Sequence, residues 1–156
     1  AKGTFIAMLD ADLQNDPADL PDMLALVKRG EADMVQGCRT RRKDTMVRQC
    51  TSWVGRTTRR LLLSDTIRDT GCSLKAFRRD AVADIPWFTG MHRFLPTLVK
   101  MRGGRVVEVP VRHRPRRFGV TKYGMWNRVF RALADALAVR WMQRRALRYE
   151  VRETAP

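Results

Sequence analysis

The feature that most constrains this chain is an uninterrupted apolar run, Thr4 to Leu9 (TFIAML), that ends directly on Asp10-Ala11-Asp12. A continuous run, without the apolar–polar alternation of a half-exposed strand, is the pattern of a central parallel strand buried on both faces. Such a strand needs neighbours and few strands follow it, so the sequence is expected to begin within a larger α/β domain. Asp10 and Asp12 leave the carboxyl end of this strand, where open α/β sheets bind their ligands. Side chains at i and i+2 there can converge on one hard divalent ion, Mg²⁺ or Mn²⁺, which keeps open positions for phosphate oxygens. A solvated acidic turn that only caps the next helix has the same D-x-D, and the pair alone does not separate the two.

Beyond the acidic turn, Asp16 is placed to cap a helix and Pro17 to occupy its first position. Pro21 resets that helix, Leu20, Met23, Leu24 and Val27 line one face, and Gly30 is placed to end it. Asp33 to Gly37 reads as a second short strand, which completes the strand–helix–strand pattern of a βαβ unit. Asp44 to Leu63 is helical in pattern and heavily basic. Asp69 to Phe77 reads as a turn entering a strand, His92 to Met101 as a short helix ending near Gly103-Gly104, and Arg105 to His113 as an alternating strand. From Trp126 to Leu147, Trp126, Val129, Phe130, Leu133, Leu137 and Trp141 recur at three- and four-residue spacing, with arginines over the remainder. That make-up suits a helix lying among lipid headgroups, and equally a helix packed on a core.

Charge is segregated along the chain. The 156 residues carry a net +15, yet the stretch from Ala1 to Gln36 holds seven acidic residues and three basic ones. The excess lies in Arg39 to Arg60, Arg102 to Lys122 and Arg128 to Arg152. An acidic site among basic surroundings implies an anionic partner such as phosphate, nucleic acid or a membrane surface. Cys38, Cys50 and Cys72 are odd in number and lack C-x-x-C spacing, so they read as reduced thiols. His92 and His113 lack zinc-ligand spacing with them and read as structural or acceptor-side polar groups. No apolar run approaches the ~20 residues of a membrane span.

The segment Ile6-Ala-Met-Leu-Asp-Ala-Asp-Leu-Gln-Asn-Asp-Pro17 resembles the metal-binding stretch of family 2 glycosyltransferases of the GT-A fold, most closely the polyprenol-phosphate, dolichol-phosphate mannosyltransferase-like branch. The likeness continues in order through Gly37-Cys-Arg39, Arg48 with Ser52, Asp69-Thr-Gly-Cys-Ser, Met91-His-Arg-Phe-Leu-Pro96 and Val111 to Gly124. It implies an α/β fold, a partial GT-A (Rossmann-like) mixed sheet with flanking helices, lacking the family's N-terminal nucleotide-binding segment and inactive as an isolated fragment. Residues 1–124 would form the C-terminal part of the catalytic domain, and 125–156 an amphipathic membrane-interface helix with a basic tail. By resemblance Asp10, Asp12 and Gln14 serve the metal and the donor diphosphate. The R-x-x-G-x-[ST]-K pattern (Arg116, Gly119, Thr121, Lys122), with Arg117, resembles the acceptor-phosphate loop, and Arg39 and Arg48 match further family arginines near the phosphates. Asp69 falls in a motif on the acceptor side and would orient an arginine, contact the sugar or cap a turn.

Chemistry supports a phosphate acceptor. A sugar hydroxyl needs a carboxylate base before it attacks an anomeric carbon, and the T-E-D and Q-x-x-R-W motifs of polysaccharide synthases of this fold are absent. A phosphate monoester, with a second pKa of about 6, is already a nucleophile and needs cations to hold it. The expectation is metal-assisted inverting transfer of a hexose, mannose or glucose by resemblance, from a nucleotide diphosphate sugar to a polyprenyl phosphate. The enzyme would sit peripherally on the cytoplasmic face of an anionic membrane. A nucleic-acid-binding module is the alternative, since three basic blocks suit one, but it leaves the acidic turn unexplained and lacks aromatics interleaved with basic residues. A nucleotidyl or phosphoryl transferase would use paired Asp but lacks a P-loop. A non-catalytic, membrane-adhering fragment is the third reading.

Overall fold

The computed structural model describes residues 2–39, 55, 57–114 and 125–146, with the side chains of the last helix described from Phe130 onward. It is a mixed α/β fold. In chain order come β1 (Phe5–Met8), α1 (Leu20–Lys28), β2 (Met34–Arg39), β3 (Lys75–Arg78), α2 (Leu95–Met101), β4 (Val106–Val111) and α3 (Met125–Arg145). Residues 57–63 are also helical. The strands form one sheet in the order β1-β3-β2-β4. β3 runs antiparallel to both neighbours, whereas β2 and β4 are parallel.

This arrangement corrects the expectation for Thr4 to Leu9. Among the described residues β1 is an edge strand, bonded on one side to β3, rather than a central parallel strand. Phe5 and Leu9 are accordingly 37% and 42% exposed. The strand–helix–strand pattern is present, but β3 is inserted between its two strands. An apolar run identifies a strand by composition and carries no information about which neighbour arrives later in sequence.

Elsewhere the local rules hold. The Asp16 carboxylate accepts from the Ala18 amide at 3.2 Å and Pro17 opens a short 3₁₀ turn, Pro17–Asp19. Pro21 in the first turn of α1 restarts the chain as an α-helix, for which its missing N–H costs nothing. Met23 and Val27, four residues apart, are buried, and Gly30 ends the helix at φ 72°, a conformation disfavoured for residues with a Cβ.

Strand alternation sorts the core into two layers. Val35, Leu74, Ala76 and Val111 pack with Met23 and Val27 of α1. Met34 and Phe77 face the other side, against Leu95, Leu98 and Val99 of α2, Leu63, and Ala136 and Val139 of α3.

The α3 stripe is not used for this packing. Phe130, Leu133, Leu137 and Trp141 are 64%, 41%, 51% and 62% exposed, while Ala136 and Val139 seat the helix. Arg140 donates to the Leu62 carbonyl and Gln143 Nε2 to the Leu63 carbonyl at 3.1 Å. The core-packing reading therefore fails for these four residues. The side chains of Trp126 and Val129 lie outside the described residues, as do all of residues 40–54.

Gly37 lies where the sheet meets the loop entering β3, its amide donating to the Leu74 carbonyl at 2.9 Å. A Cβ there would stand 3.0 Å from that carbonyl oxygen and 3.1 Å from both Cys72 Sγ and Val111 Cγ2. Gly37→Ala should therefore destabilise the fold by about 1–3 kcal/mol. Urea unfolding measures this, and an unchanged midpoint would contradict the packing described.

Candidate functional site

The site is built around the turn from Asp69 to Ser73, which among the described residues touches both the acidic turn, through Asp10, and the end of β2, through Arg39. One cross-strand row of side chains holds it. The register aligns Met8, Lys75, Gln36 and Glu108 across β1, β3, β2 and β4. Glu108 Oε1 accepts the amides of Arg68 at 2.9 Å and Asp69 at 3.2 Å. Gln36 Nε2 donates to the carbonyls of Asp69 at 3.1 Å and Cys72 at 3.0 Å, besides its neighbour Gly37 at 2.9 Å. Lys75 Nζ also donates to the Cys72 carbonyl. Gln36 and Lys75 are 0% and 1% exposed, so the Gln36 Nε2 and Lys75 Nζ donors serve the turn rather than water, while Gln36 Oε1 is buried without a hydrogen-bond partner among the described residues.

The turn then orients two sets of groups. On one side Asp69 receives Arg39 as a fork, Nε to Oδ2 at 2.6 Å and Nη2 to Oδ1 at 2.7 Å, and the Arg39 amide at 3.1 Å. Gly71 makes room for this, since a Cβ there would meet Arg39 Nη2 at 3.1 Å. This pairing corresponds to the first of the three roles named for Asp69, orienting an arginine. On the other side Ser73 Oγ accepts the Asp10 amide at 3.3 Å and Asn15 Nδ2 at 2.7 Å. The acidic turn is thereby tied to the same loop as Arg39.

Asp10 is exposed and Asp12 half-buried, with Asp12 Oδ1 accepting the Gln14 amide at 3.2 Å. The Gln14 carbonyl accepts the Arg114 amide at 2.8 Å. A second clamp lies beside it. Arg114 meets Asp16 at 2.7 Å, and Arg112 gives Asp19 both its amide, at 2.8 Å, and its Nε, at 2.9 Å. The Ala18 amide, then Arg114 and Arg112, hold the Asp16 carboxyl below its ordinary range against the opposing effect of burial. Arg114 is the last described residue before segment 115–124, so the proposed acceptor loop departs from the flank of the acidic turn. Arg116, Arg117, Thr121 and Lys122 themselves lie outside the described residues, as does Arg48.

A third cluster buttresses the turn from behind. Asp65 accepts from Thr97 Oγ1 at 2.7 Å and the Ile67 amide at 3.0 Å, and lies 3.3 Å from Arg59 Nε. Arg59 sits 4.6 Å over the Phe94 ring and donates to Thr70 Oγ1 and, at 2.6 Å, to the Arg93 carbonyl. Arg93 reaches Asp135 of α3 at 3.1 Å. Cys38 and Cys72 are free thiols, and burial raises the pKa of both. Burial, then the Arg93 charge, lowers that of His92.

Sequence reasoning singled out Asp10, Asp12, Gln14, Arg39 and Asp69 and gave no role to Gln36, Lys75, Glu108, Ser73, Asn15, Arg59 and Asp65. A signal existed for two of them. Gln36 and Lys75 interrupt otherwise apolar strands, DMVQG and SLKAF, and a polar group inside a buried strand has to find a partner.

Residues 1–85 match the sequence profile of the family described as Glycosyl transferase family 2. The chain belongs to that family. It is also 37% identical over 147 residues to a dodecaprenyl-phosphate galacturonate synthase of Rhizobium johnstonii, covering 92% of this chain and 43% of the relative. An undecaprenyl-phosphate 4-deoxy-4-formamido-L-arabinose transferase of an Enterobacter species is 36% identical over 124 residues, 78% of this chain and 37% of that protein. The chain thus spans about two fifths of the length of these relatives, and the family profile covers the acidic turn, Arg39 and the Asp69–Ser73 turn together.

The Arg39–Asp69 pair is largely withdrawn from water, its side chains 11% and 12% exposed. Removing one partner takes this contact from the other, largely buried, charge. Asp69→Asn should therefore cost on the order of 3 kcal/mol of stability. Adding Arg39→Met should recover part of that loss, and strictly additive effects in thermal melts would contradict the coupling.

Proposed function

We propose that this chain is part of a metal-dependent glycosyltransferase that moves a sugar from a nucleotide diphosphate to a polyprenyl phosphate at a membrane surface. The observation that carries this reading is the bracing of the acidic turn and Arg39 by one loop, through Ser73 and Asp69. A solvated capping turn needs no such brace. Family membership and the printed names of both relatives, each a prenyl-phosphate sugar transferase or synthase, point the same way.

The residues fit a divalent ion held in part by substrate. Among the described residues no group of three His, Cys, Asp or Glu is placed to hold a metal alone. Asp10 and Asp12 would supply two hard oxygens and Gln14 a neutral one, which suits Mg²⁺ or Mn²⁺ completed by water and diphosphate oxygens. When bound, the ion would neutralise charge on the departing nucleoside diphosphate. Asp10 is positioned for this by its amide on Ser73, and Asp12 by the Gln14 amide.

Arg39, aligned by Asp69, would place its planar cation toward phosphate, joined by Arg48 and by Arg116, Arg117, Thr121 and Lys122. An ionised phosphate monoester needs no general base, so the protein's task is to hold two anionic partners in line for an inverting displacement. Mannose and glucose belong in the donor panel, together with a uronic acid donor suggested by the galacturonate relative.

The membrane would be met by α3. Its exposed Phe130, Leu133, Leu137 and Trp141 form an apolar stripe, and Arg131, Arg144 and Arg145 lie on the same helix. Among the described residues no helix is long and apolar enough to cross a membrane, so this contact would be peripheral. The cytoplasmic face, where anionic lipid accumulates, complements the +15 charge.

Two outcomes are expected of the full-length protein. Asp12→Asn or excess EDTA should abolish sugar transfer to polyprenyl phosphate without altering the circular dichroism spectrum, and full activity in EDTA would refute the metal assignment. Binding to anionic vesicles should weaken with salt without vanishing, and Leu137→Ser with Trp141→Ser should remove much of the salt-resistant part at unchanged thermal stability. Vesicle binding insensitive to that double substitution, or tighter salt-sensitive binding to unrelated oligonucleotides, would refute the membrane assignment.

A further inference from the structure

Lys75 is the largest fully buried side chain among the described residues, at 1% exposure. Its hydrogen bond goes to the Cys72 carbonyl, which Gln36 already serves. No carboxylate among the described residues stands within ion-pair distance of it. Burying an ammonium without an ion pair costs more than one hydrogen bond to an already satisfied carbonyl returns. A methionine would fill the same space without that cost, so stability does not account for a lysine here.

Its place in the sheet suggests what does. Lys75 pairs with Met8, the last residue of β1, and Asp10 follows two residues later. It occupies the foot of the acidic turn, on the sheet face shared with Gln36. Burial lowers its pKa to about 8, with the carboxylates of Asp69 and Asp10 opposing that shift, so it stays mainly charged at neutral pH. Asp69 is already matched by Arg39. The Lys75 charge is therefore left to act on Asp10 and on whatever anion Asp10 helps to bind.

We propose that Lys75 is a positioning residue whose fixed buried charge holds the Asp10–Asp12 pair back from binding a bare divalent cation and favours the cation together with a nucleoside diphosphate. The proposal rests on the transfer reading of Asp10 and Asp12. Its consequence is an ordered site. A positive charge behind the carboxylates repels a free divalent ion, yet attracts the same ion once a diphosphate has made the incoming complex negative. A residue that merely stapled the turn would influence both ligands in one direction.

The test uses the full-length protein with Lys75→Met, which removes charge and hydrogen bond, and Lys75→Gln, which keeps a donor and removes the charge. Mn²⁺ alone is titrated by water proton relaxation, and UDP and GDP are titrated in the presence of Mn²⁺. Both variants should bind Mn²⁺ alone about threefold or more tightly and the nucleoside diphosphate about threefold or more weakly, with turnover down about tenfold. The melting temperature of Lys75→Met should be unchanged or higher. Parallel weakening of both ligands, wild-type behaviour in Lys75→Gln, or no change in either variant would overturn the proposal while leaving the transfer reading in place. Failure of the unsubstituted protein to bind Mn²⁺ and both nucleotides would overturn that reading and this proposal with it.

Discussion

The carbonyls of Asp69 and Cys72, held by the buried amide of Gln36, are the constraint on which the rest of the site depends. A turn lying over the end of a sheet carries peptide groups that water cannot fully reach, and an unpaired buried carbonyl is costly. Gln36 meets two of them from the centre of the sheet, Glu108 meets the facing amides from β4, and Lys75 adds a donor from β3. Because these side chains share one cross-strand row, the position of the turn is set by sheet register. Everything attached to the turn inherits that precision, including Arg39 through Asp69 and the acidic turn through Ser73.

Electrostatics complete the arrangement. The first 36 residues are acidic in balance and the remainder strongly basic, and the fold brings the two together along defined seams. Asp16 and Asp19 take Arg114 and Arg112 across that divide, while within the basic remainder Asp69 takes Arg39, Asp65 takes Arg59, and Asp135 takes Arg93. Exposed pairs such as Arg112–Asp19 add little stability, so their value lies in fixing where a segment starts. In this case the segment is 115–124, with the basic residues assigned to the acceptor phosphate. Under the proposed reading, the segment assigned to the acceptor would leave from beside the acidic turn assigned to the donor.

Much of the fold was legible in the sequence because local signals agreed with it. Asp16, Pro17, Pro21 and Gly30 mark the helix boundaries by backbone chemistry alone, and α1 runs Leu20–Lys28 as those residues require. The Asp10–Asp12 turn was legible through the ordered run of motifs around it, from Ile6 to Pro17 and onward, since the pair alone also fits a solvated capping turn. The environment of β1 was not legible, since strand pairing depends on a segment nearly seventy residues away. The row of Lys75, Gln36 and Glu108 stayed hidden for the same reason: three residues on three strands become neighbours only through register. The α3 stripe left two readings open, and periodicity could not reveal that Ala136 and Val139, rather than the stripe, pack on the core, a matter of tertiary packing.

If the sheet organises the site through the Asp69–Ser73 turn, a residue that touches no substrate should govern activity. Gln36→Leu in the full-length protein tests this most directly, because it preserves volume and apolar packing while leaving the Asp69 and Cys72 carbonyls without that donor. Sugar transfer to polyprenyl phosphate and Mn²⁺-dependent nucleotide binding are measured at a temperature where circular dichroism shows the variant folded. The account expects turnover to fall about tenfold or more, with weaker nucleotide binding, from the loss of roughly 1–3 kcal/mol of turn stability. Wild-type turnover and nucleotide affinity in a folded Gln36→Leu protein would contradict it.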